Sequence, residues 1–563
     1  MFSNDVAYGR IRIFLALSLA GAACLYVTLS SCGTEVGTPP GGGGASAVSV
    51  LTYHNDVART GQNLRETILT HANVNSASFG RIGFMTTSPN GRVDAQPLYV
   101  PDLQVGGVSH NVVFAVTEQD LVYAFDADSS AGLWQVSLLL PGESPSGSRG
   151  CDDLAQVGIT GTPVIDPHAG PHGTIFVVAQ STDGSNYFNR LHALDLATGA
   201  ERPGSPVTIQ PTYPNSFGGT NTFETQTIKD RAALLLHDGV IYTAWGSFCD
   251  IDFYQGWVIA YNESTLQQAG VLNITPNGTV PNGGQGGLWM SGGGIAVDSS
   301  GFLYFTAGNG TFDTTLNGSG FPINSNFGNA FIKASTSGGS MTIVDYFNMH
   351  DTISQSGQDH DFGSGGVLIL PDLRDSSGKT VHLALAAGKD GNLYVVNRDS
   401  LGKFNPSNDN AVYQKIDGVD SRASFGTPAY FNGTVYVHGE FEAGQNERHL
   451  NAFPITNGRL ATTPSSSTQA EFNFPGTIPS ISANGTTPGT AIVWAVHTDV
   501  FSGTDAGVLH AYKAEDLGQE LYNSDQAGSR DQFTGTHFSA PTITNGKVYV
   551  GTQNGVMVFG LLH

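Results

Sequence analysis

The chain alternates short apolar runs with turn residues from about position 80 to its end. Each run is four to nine residues long, rich in valine, isoleucine and aromatics, and bounded by Gly, Pro, Asn-Gly or Asp-Gly. That is the pattern of antiparallel strands joined by tight hairpins. The runs repeat as a unit of three strands. The first strand and its lead-in recur as "DAQPLYVPD", "ITGTPVIDP", "RAALLLHDG", "GGGIAVDSS", "SGGVLILPD", "FGTPAYFNG", "IPSISANG" and "FSAPTITNG". A second, aromatic strand follows in each, as in "NVVFAVTE", "GTIFVVAQ" and "GKVYVGTQ". A third closes the unit, as in "LVYAFDADS", "GNLYVVNRD" and "GVMVFG".

Eight such units are counted, and no segment carries a long amphipathic helix. A repeated four-stranded antiparallel sheet is the blade of a β-propeller, so the pattern predicts an all-β, eight-bladed propeller over residues 50–563. Seven blades would result if two weak units merged. The last unit stops at the C-terminus without an outer strand. The run "FGRIGFMTT" (79–87) can supply it, so the ring is expected to close by pairing an N-terminal strand with the last blade. Closure removes exposed sheet edges.

The N-terminus follows a different logic. Arg10 and Arg12 precede "IFLALSLAGAACLYVTL", which ends in "LSSCG". A basic start, an apolar core and small residues make an export signal. Its end resembles a bacterial lipoprotein signal, in which Cys32 becomes the lipidated first residue. Residues 1–32 are therefore read as signal and 33–49, "GTEVGTPPGGGGASAVS", as a Gly/Pro tether. The expected location is the bacterial cell envelope, with membrane contact only through the lipid. Cys151 and Cys249 are then the two cysteines left in the body, and in an exported protein they point to one disulfide. The formal net charge of −23 and the lack of a basic stripe argue against nucleic-acid binding. A monomer is expected.

Inner strands of a propeller begin near its central channel, so the residues just before them line one mouth. In this chain these are Asp94, Gln96, Thr160, Lys229, Arg231, Trp289, Asp361, Arg422 and His537. The stretch "QDHDFGSGGVLILPD" puts Asp359, His360 and Asp361 at the threshold of a core strand. His360 alternates with Asp361 and is expected to face elsewhere. His54, in "TYHNDVARTGQN", reads as part of a closing segment. "GKDG" around Lys389 and "AGNG" around Asn309 also read as ordinary turns. Asn309, Asp250 and Asp252 are oxygen donors of the kind calcium takes.

Several of these stretches resemble the pyrroloquinoline-quinone (PQQ) alcohol dehydrogenases. "YAFDADSSAGLW" resembles the tryptophan-docking repeat of their propellers, with "LHALDLATGAE" as a weaker copy. "DHDFGSGGVLILPD" is similar to the stretch holding their catalytic aspartate, which implies Asp361. "AAGKDGNLYVVNRDSLG" resembles the segment bringing a basic residue to the quinone, which implies Lys389. "LYFTAGNGTF" implies Asn309 as a calcium ligand, and "WGSFCDIDFYQGWVIAY" leaves Asp250 or Asp252 in place of a calcium-binding glutamate. Trp289 lies near the position of the tryptophan under the quinone, and Arg422 is a further cofactor-binding candidate. The family's pair of adjacent cysteines is reduced to Gly150-Cys151, and no Cys-x-x-Cys-His haem motif is present.

Two functions are compatible with this. The missing cysteine pair and eroded docking repeats favour a cell-envelope binding or scaffolding propeller, with an unidentified small molecule or envelope protein at its mouth. The retained Asp361, Lys389 and Asn309 keep open a PQQ- and Ca²⁺-dependent dehydrogenase of alcohols or sugars, with Asp361 as general base.

Overall fold

The computed structural model describes residues 48–563 except 90, 148–154, 279–282, 337–340, 419–423, 440, 442–447 and 499–505. The signal, the tether up to residue 47, Cys32, Cys151 and Arg422 lie outside the described residues. Eight antiparallel sheets follow one another along the chain and form the blades of a propeller. Their innermost paired strands include Leu98–Val105, Val164–Asp166, Leu235–His237, Ala296–Val297, Leu368–Ile369, Ala429–Phe431, Ser480–Ser482 and Thr542–Thr544.

The first blade shows how the local sequence makes this geometry. Leu98–Val105 and Val108–Val116 pair antiparallel across Gly106-Gly107, whose φ values are +61° and +84°. Two successive positive φ angles are what a tight hairpin needs, and glycine meets them without a Cβ clash. Leu121–Asp126 and Gly132–Ser137 complete the blade. Its outer strand carries the docking tryptophan predicted from sequence. The Trp134 indole N–H donates to the Leu196 carbonyl at 3.0 Å. The ring lies over Gly199, where a Cβ would come within 2.7 Å of it.

The ring closes as the pattern predicts. Phe79–Thr86 pairs antiparallel with Gly555–Leu561, which pairs with Lys547–Thr552 and through it with Thr542–Thr544. An early strand, Phe79–Thr86, and the last strands of the chain therefore share the eighth blade.

Residues 50–65 do something the repeat pattern does not announce. They run from blade to blade along the inner strands. Val50 bridges Tyr99 of the first blade, and the Leu51 carbonyl accepts from Ile165 N–H of the second. The carbonyls of Val57, Ala58 and Thr60 accept from Val297, Ile369 and Tyr430 of the fourth, fifth and sixth. Gln62–Asn63 adds a parallel pairing to the seventh, and the Asn63 amide donates to Ile543 O of the eighth at 3.0 Å. The third is reached by Arg59, whose guanidinium donates to Leu234 O at 3.3 Å and to Ile295 O at 3.1 Å. Arg59 and His54 are fully buried, and Tyr53 nearly so. The His54 Nδ1–H donates to Arg59 O, and burial pushes the imidazole down to about 4, so the ring is neutral. It is a closing residue, as its sequence context indicated.

Candidate functional site

Segments of blades three to eight converge on one cavity of about 960 Å³. It lies at the end of the channel from which the inner strands start. Its polar wall comes from blades three, four and five: Asp250, Gln285, Trp289, Asn309, Asp359, Asp361 and Lys389. Asp361 is 2% exposed and sits just before the Phe362–Ser364 turn that leads into Leu368–Ile369. One carboxylate oxygen accepts from the Asn309 backbone N–H at 2.9 Å. The other meets the Lys389 ammonium at 2.5 Å. The Lys389 N–H also donates to the Asp361 carbonyl at 2.8 Å, so the "GKDG" turn is tied to the aspartate at two points.

Burial pushes the Asp361 carboxyl above its ordinary value, against the opposing pull of Lys389 and the Asn309 N–H. Burial alone would lower Lys389; the charges of Asp361 and Asp359 outweigh it and hold the ammonium at about 12. Asp250 is pushed up to about 6 by burial and by the charge of Asp361, while the Tyr254 hydroxyl donates to it.

Asp359 joins the same network. Its Oδ1 accepts from Lys389 Nζ at 3.0 Å and from the Asn309 amide nitrogen at 2.7 Å. The amide nitrogen of Asn309 is thereby spent, and its Oδ1 is left buried without a hydrogen-bond partner. A buried acceptor without a partner is costly. Sequence reasoning set Asp359 aside. The family resemblance pointed to Asp361 alone, although alternation itself places Asp359 on the same side as Asp361 and His360 on the other. His360 bonds Gln355 Oε1 instead, as the alternation implied.

Trp289 lies half-buried beside this pair, its indole N–H donating to Ser247 O at 2.9 Å. Glycines press close to the ring. A Cβ on Gly246 would come within 2.5 Å of the indole nitrogen. A Cβ on Gly308 would come within 2.3 Å of the ring and 2.4 Å of the Asp361 carboxylate. Gly308→Ala is therefore expected to displace both groups and to abolish ligand binding in the cavity while the far-UV circular dichroism keeps its β-sheet form. Cys249 and Asp250 line the cavity, whereas Asp252 is exposed and does not. Of the two candidate aspartates in "CDID", the fold delivers only Asp250.

Of the channel-mouth residues read from sequence, Lys229, Arg231, Trp289, Asp361 and His537 reach the cavity. Asp94, Gln96 and Thr160 do not. Asp94 pairs with Arg92 at 2.9 Å, Gln96 holds the His54 backbone and Thr542, and Thr160 donates to Glu118. Among the lining residues that were missed are three phenylalanines, Phe425, Phe474 and Phe538. Their signal was present, because each stands a few positions before the inner strand of blade six, seven or eight.

Backbone strain gathers here too. Cys249, Asp250, Gln285, Ser291, Asp359 and Phe538 all line the cavity with φ between +49° and +61°. Non-glycine residues in that region cluster where structure is held for function.

A second acidic group lies beside the cavity, among blades one to three. Glu118, Asp120 and Asp230 are buried, and both carboxylate oxygens of Asp120 and of Asp230 lack hydrogen-bond partners among the described residues. Burial, then the charge of Asp94, pushes Glu118 up to about 7; burial also raises Asp120 and Asp230 well above the usual range. A carboxyl whose folded value is raised stabilises the fold fully at pH below its unfolded value and less as pH climbs through the folded one. For Glu118 that window runs from 4.5 to about 7. Glu118→Gln should then raise the unfolding free energy at pH 8 by on the order of 1–3 kcal/mol and leave it near wild type at pH 4, by urea titration.

Comparison with solved structures bears on the architecture. The quinohemoprotein alcohol dehydrogenase of Comamonas testosteroni superposes with a TM-score of 0.60 at 16% identity, over 91% of this chain and 80% of that one. A quinohemoprotein alcohol dehydrogenase of Pseudomonas putida gives 0.57 at 15% identity, over 91% and 80%. A europium-containing methanol dehydrogenase gives 0.57 at 14%, over 91% and 98%. The fold is that of the quinoprotein alcohol dehydrogenases. No protein-family model and no curated protein matches the sequence. At this identity the quinoprotein likeness speaks for the propeller and not for the chemistry in its mouth. Among the described residues, no group of three His, Cys, Asp or Glu side chains converges as a metal-binding set. The oxygen donors of the cavity among the described residues include the carboxylates of Asp250, Asp359 and Asp361 and the amide of Asn309.

Proposed function

We propose that the cavity binds PQQ with a divalent cation and oxidises an alcohol, with Asp361 as general base. The observation that carries this reading is the convergence of Trp289, Asn309, Asp361 and Lys389 on one cavity. These residues fit the cofactor. Trp289 offers an aromatic face, Lys389 a cation for an anionic ring oxygen, and Asn309, Asp250 and Asp361 hard oxygen donors for Ca²⁺. PQQ supplies the two-electron oxidising chemistry when bound.

The chain's own part is acid–base and electrostatic. Asp361 is buried, with a carboxyl raised toward the working range of a base, and it accepts the proton of a substrate hydroxyl. Lys389 keeps that carboxylate ionised and fixed. Asp359 holds Lys389 on one side and fixes the Asn309 amide by accepting from its nitrogen.

Cys249 lines the cavity, and a Cys151–Cys249 bridge across its rim is part of the proposal, taking the place of the family's adjacent cysteine pair. Export and lipidation at Cys32 are proposed on the sequence of residues 10–32 alone. The reading of an envelope-binding propeller without redox chemistry is favoured by the lost cysteine pair. Dye-linked turnover separates the two. Protein loaded with PQQ and Ca²⁺ is expected to reduce an artificial acceptor in the presence of a primary alcohol. No reduction with any alcohol or sugar, by protein that retains the quinone, would remove the dehydrogenase reading.

A further inference from the structure

Blades six, seven and eight each place one phenylalanine on the cavity: Phe425, Phe474 and Phe538. The three rings touch one another. Phe425 meets Phe474 edge-on at 5.1 Å between ring centres, and Phe538 lies 5.9 Å from Phe425 and 6.3 Å from Phe474. Contacts of this kind hold each ring in place. All three are half-buried, whereas Phe453 and Phe472 of the blades beside them are fully buried. Phe538 is held at φ +55°, an uncommon conformation for a bulky residue. The result is a preformed aromatic wall facing a cavity instead of a core.

The wall is tied to Asp361 and Lys389 through the backbone. Ser364 Oγ lies 3.1 Å from the Asp361 carbonyl and 3.0 Å from the Ser424 carbonyl. The Ser424 N–H donates to the Gly388 carbonyl at 3.1 Å. Residue 424 is thereby fixed to the turn that carries Asp361 and to the residue before Lys389, and the next side chain is Phe425. Gly426, on its other side, bridges Gly365. A group seated on Phe425 is therefore held at a set reach from the Asp361 carboxylate. The chemistry of that group follows from the wall. A phenyl ring offers no hydrogen bond, so a hydroxyl turned toward it gives up water for nothing. An apolar ring gains by the area it buries. The volume of about 960 Å³, at the top of the ~300–1,000 Å³ range of sites that enclose a drug-sized ligand, leaves room for such a body.

We propose that the substrate is an alcohol on a bulky, apolar, ring-bearing body, with the ring on Phe425, Phe474 and Phe538 and the hydroxyl at Asp361, and that Phe425 sets this specificity. The hydroxyl placement rests on the dehydrogenase reading; the seat of the ring does not. Methanol and ethanol cover too little of the wall to benefit from it. A sugar would turn toward it hydroxyls that it does not satisfy.

Equilibrium dialysis of 2-naphthalenemethanol against the purified full chain without quinone tests the inference. Saturable binding is expected, with benzyl alcohol displacing the probe at least ~10-fold more effectively than ethanol or glucose. Phe425→Ala should weaken the probe at least ~10-fold, and Phe425→Leu should recover part of that loss. Phe474→Ala serves the same purpose should the first variant fail to fold. Unchanged affinity in the alanine variants, displacement by glucose or ethanol as effective as by benzyl alcohol, or no binding at millimolar probe would overturn the proposal. PQQ retention is measured on the same preparation. Binding that depends on Phe425 without quinone binding would remove the redox reading and keep the ligand class. Quinone binding without such a site would do the reverse.

Discussion

Arg59→Ala lowers the unfolding free energy by ~3–5 kcal/mol, the range seen when a buried charge loses or leaves its partners. The reason is the number of acceptors one guanidinium serves. It donates to Thr52 Oγ1 at 2.8 Å and Tyr53 O at 2.9 Å in its own segment. It also donates to Leu234 O and Ile295 O in the third and fourth blades. Alanine strands all four acceptors in a fully buried position, and each unsatisfied group costs about 1–3 kcal/mol. Collapse around the gap is hindered because Gly294 already sits against the guanidinium, where a Cβ would come within 2.7 Å of it. Lysine should recover a minor part, since an ammonium cannot span two blades as a planar fork does. Urea titration decides the matter, and a loss under about 1 kcal/mol would mean that the closing segment contributes little to the ring.

The second large effect belongs to Asp361. Asp361→Asn keeps the shape and the Asn309 N–H contact but removes the base and the partner of Lys389. Dye-linked kcat of the loaded protein is expected to fall by 10²–10⁴-fold, the usual contribution of a positioned general base. Lys389→Ala should cost as much by another route. It leaves Asp361 buried beside Asp359 and Asp250 without its nearest cation, so the carboxyl rises further and is protonated over more of the pH range. The pH profile distinguishes them. The lysine variant should regain part of its rate as pH rises, and the asparagine variant should not. A flat profile in both would contradict the base assignment.

The repeat was legible because it is local. Each hairpin declares itself through glycine turns and β-branched runs, and the need to avoid an open edge fixed how Phe79–Thr86 would be used. The segment from Val50 to Arg65 was not legible in the same way. Its bonds go from single carbonyls to strands hundreds of residues away, and no periodicity marks them. Asp361, Lys389, Asn309 and Trp289 were found through family resemblance, and the fold brings them together. Asp359 was lost because the resemblance named only Asp361, while alternation, applied to His360, would have kept Asp359 on the Asp361 side. The three phenylalanines were lost because an aromatic ahead of a strand reads as core until neighbouring blades set several of them on one wall.

The central claim is that this mouth holds a quinone through Lys389 and Trp289. Titrating the purified apoprotein with PQQ in the presence of Ca²⁺, followed by quenching of tryptophan emission, tests it most directly. The account predicts saturable binding of one PQQ per chain, dependent on Ca²⁺, and lost in Lys389→Ala. Absence of quenching at micromolar PQQ, or equal quenching in wild type and Lys389→Ala, would contradict it.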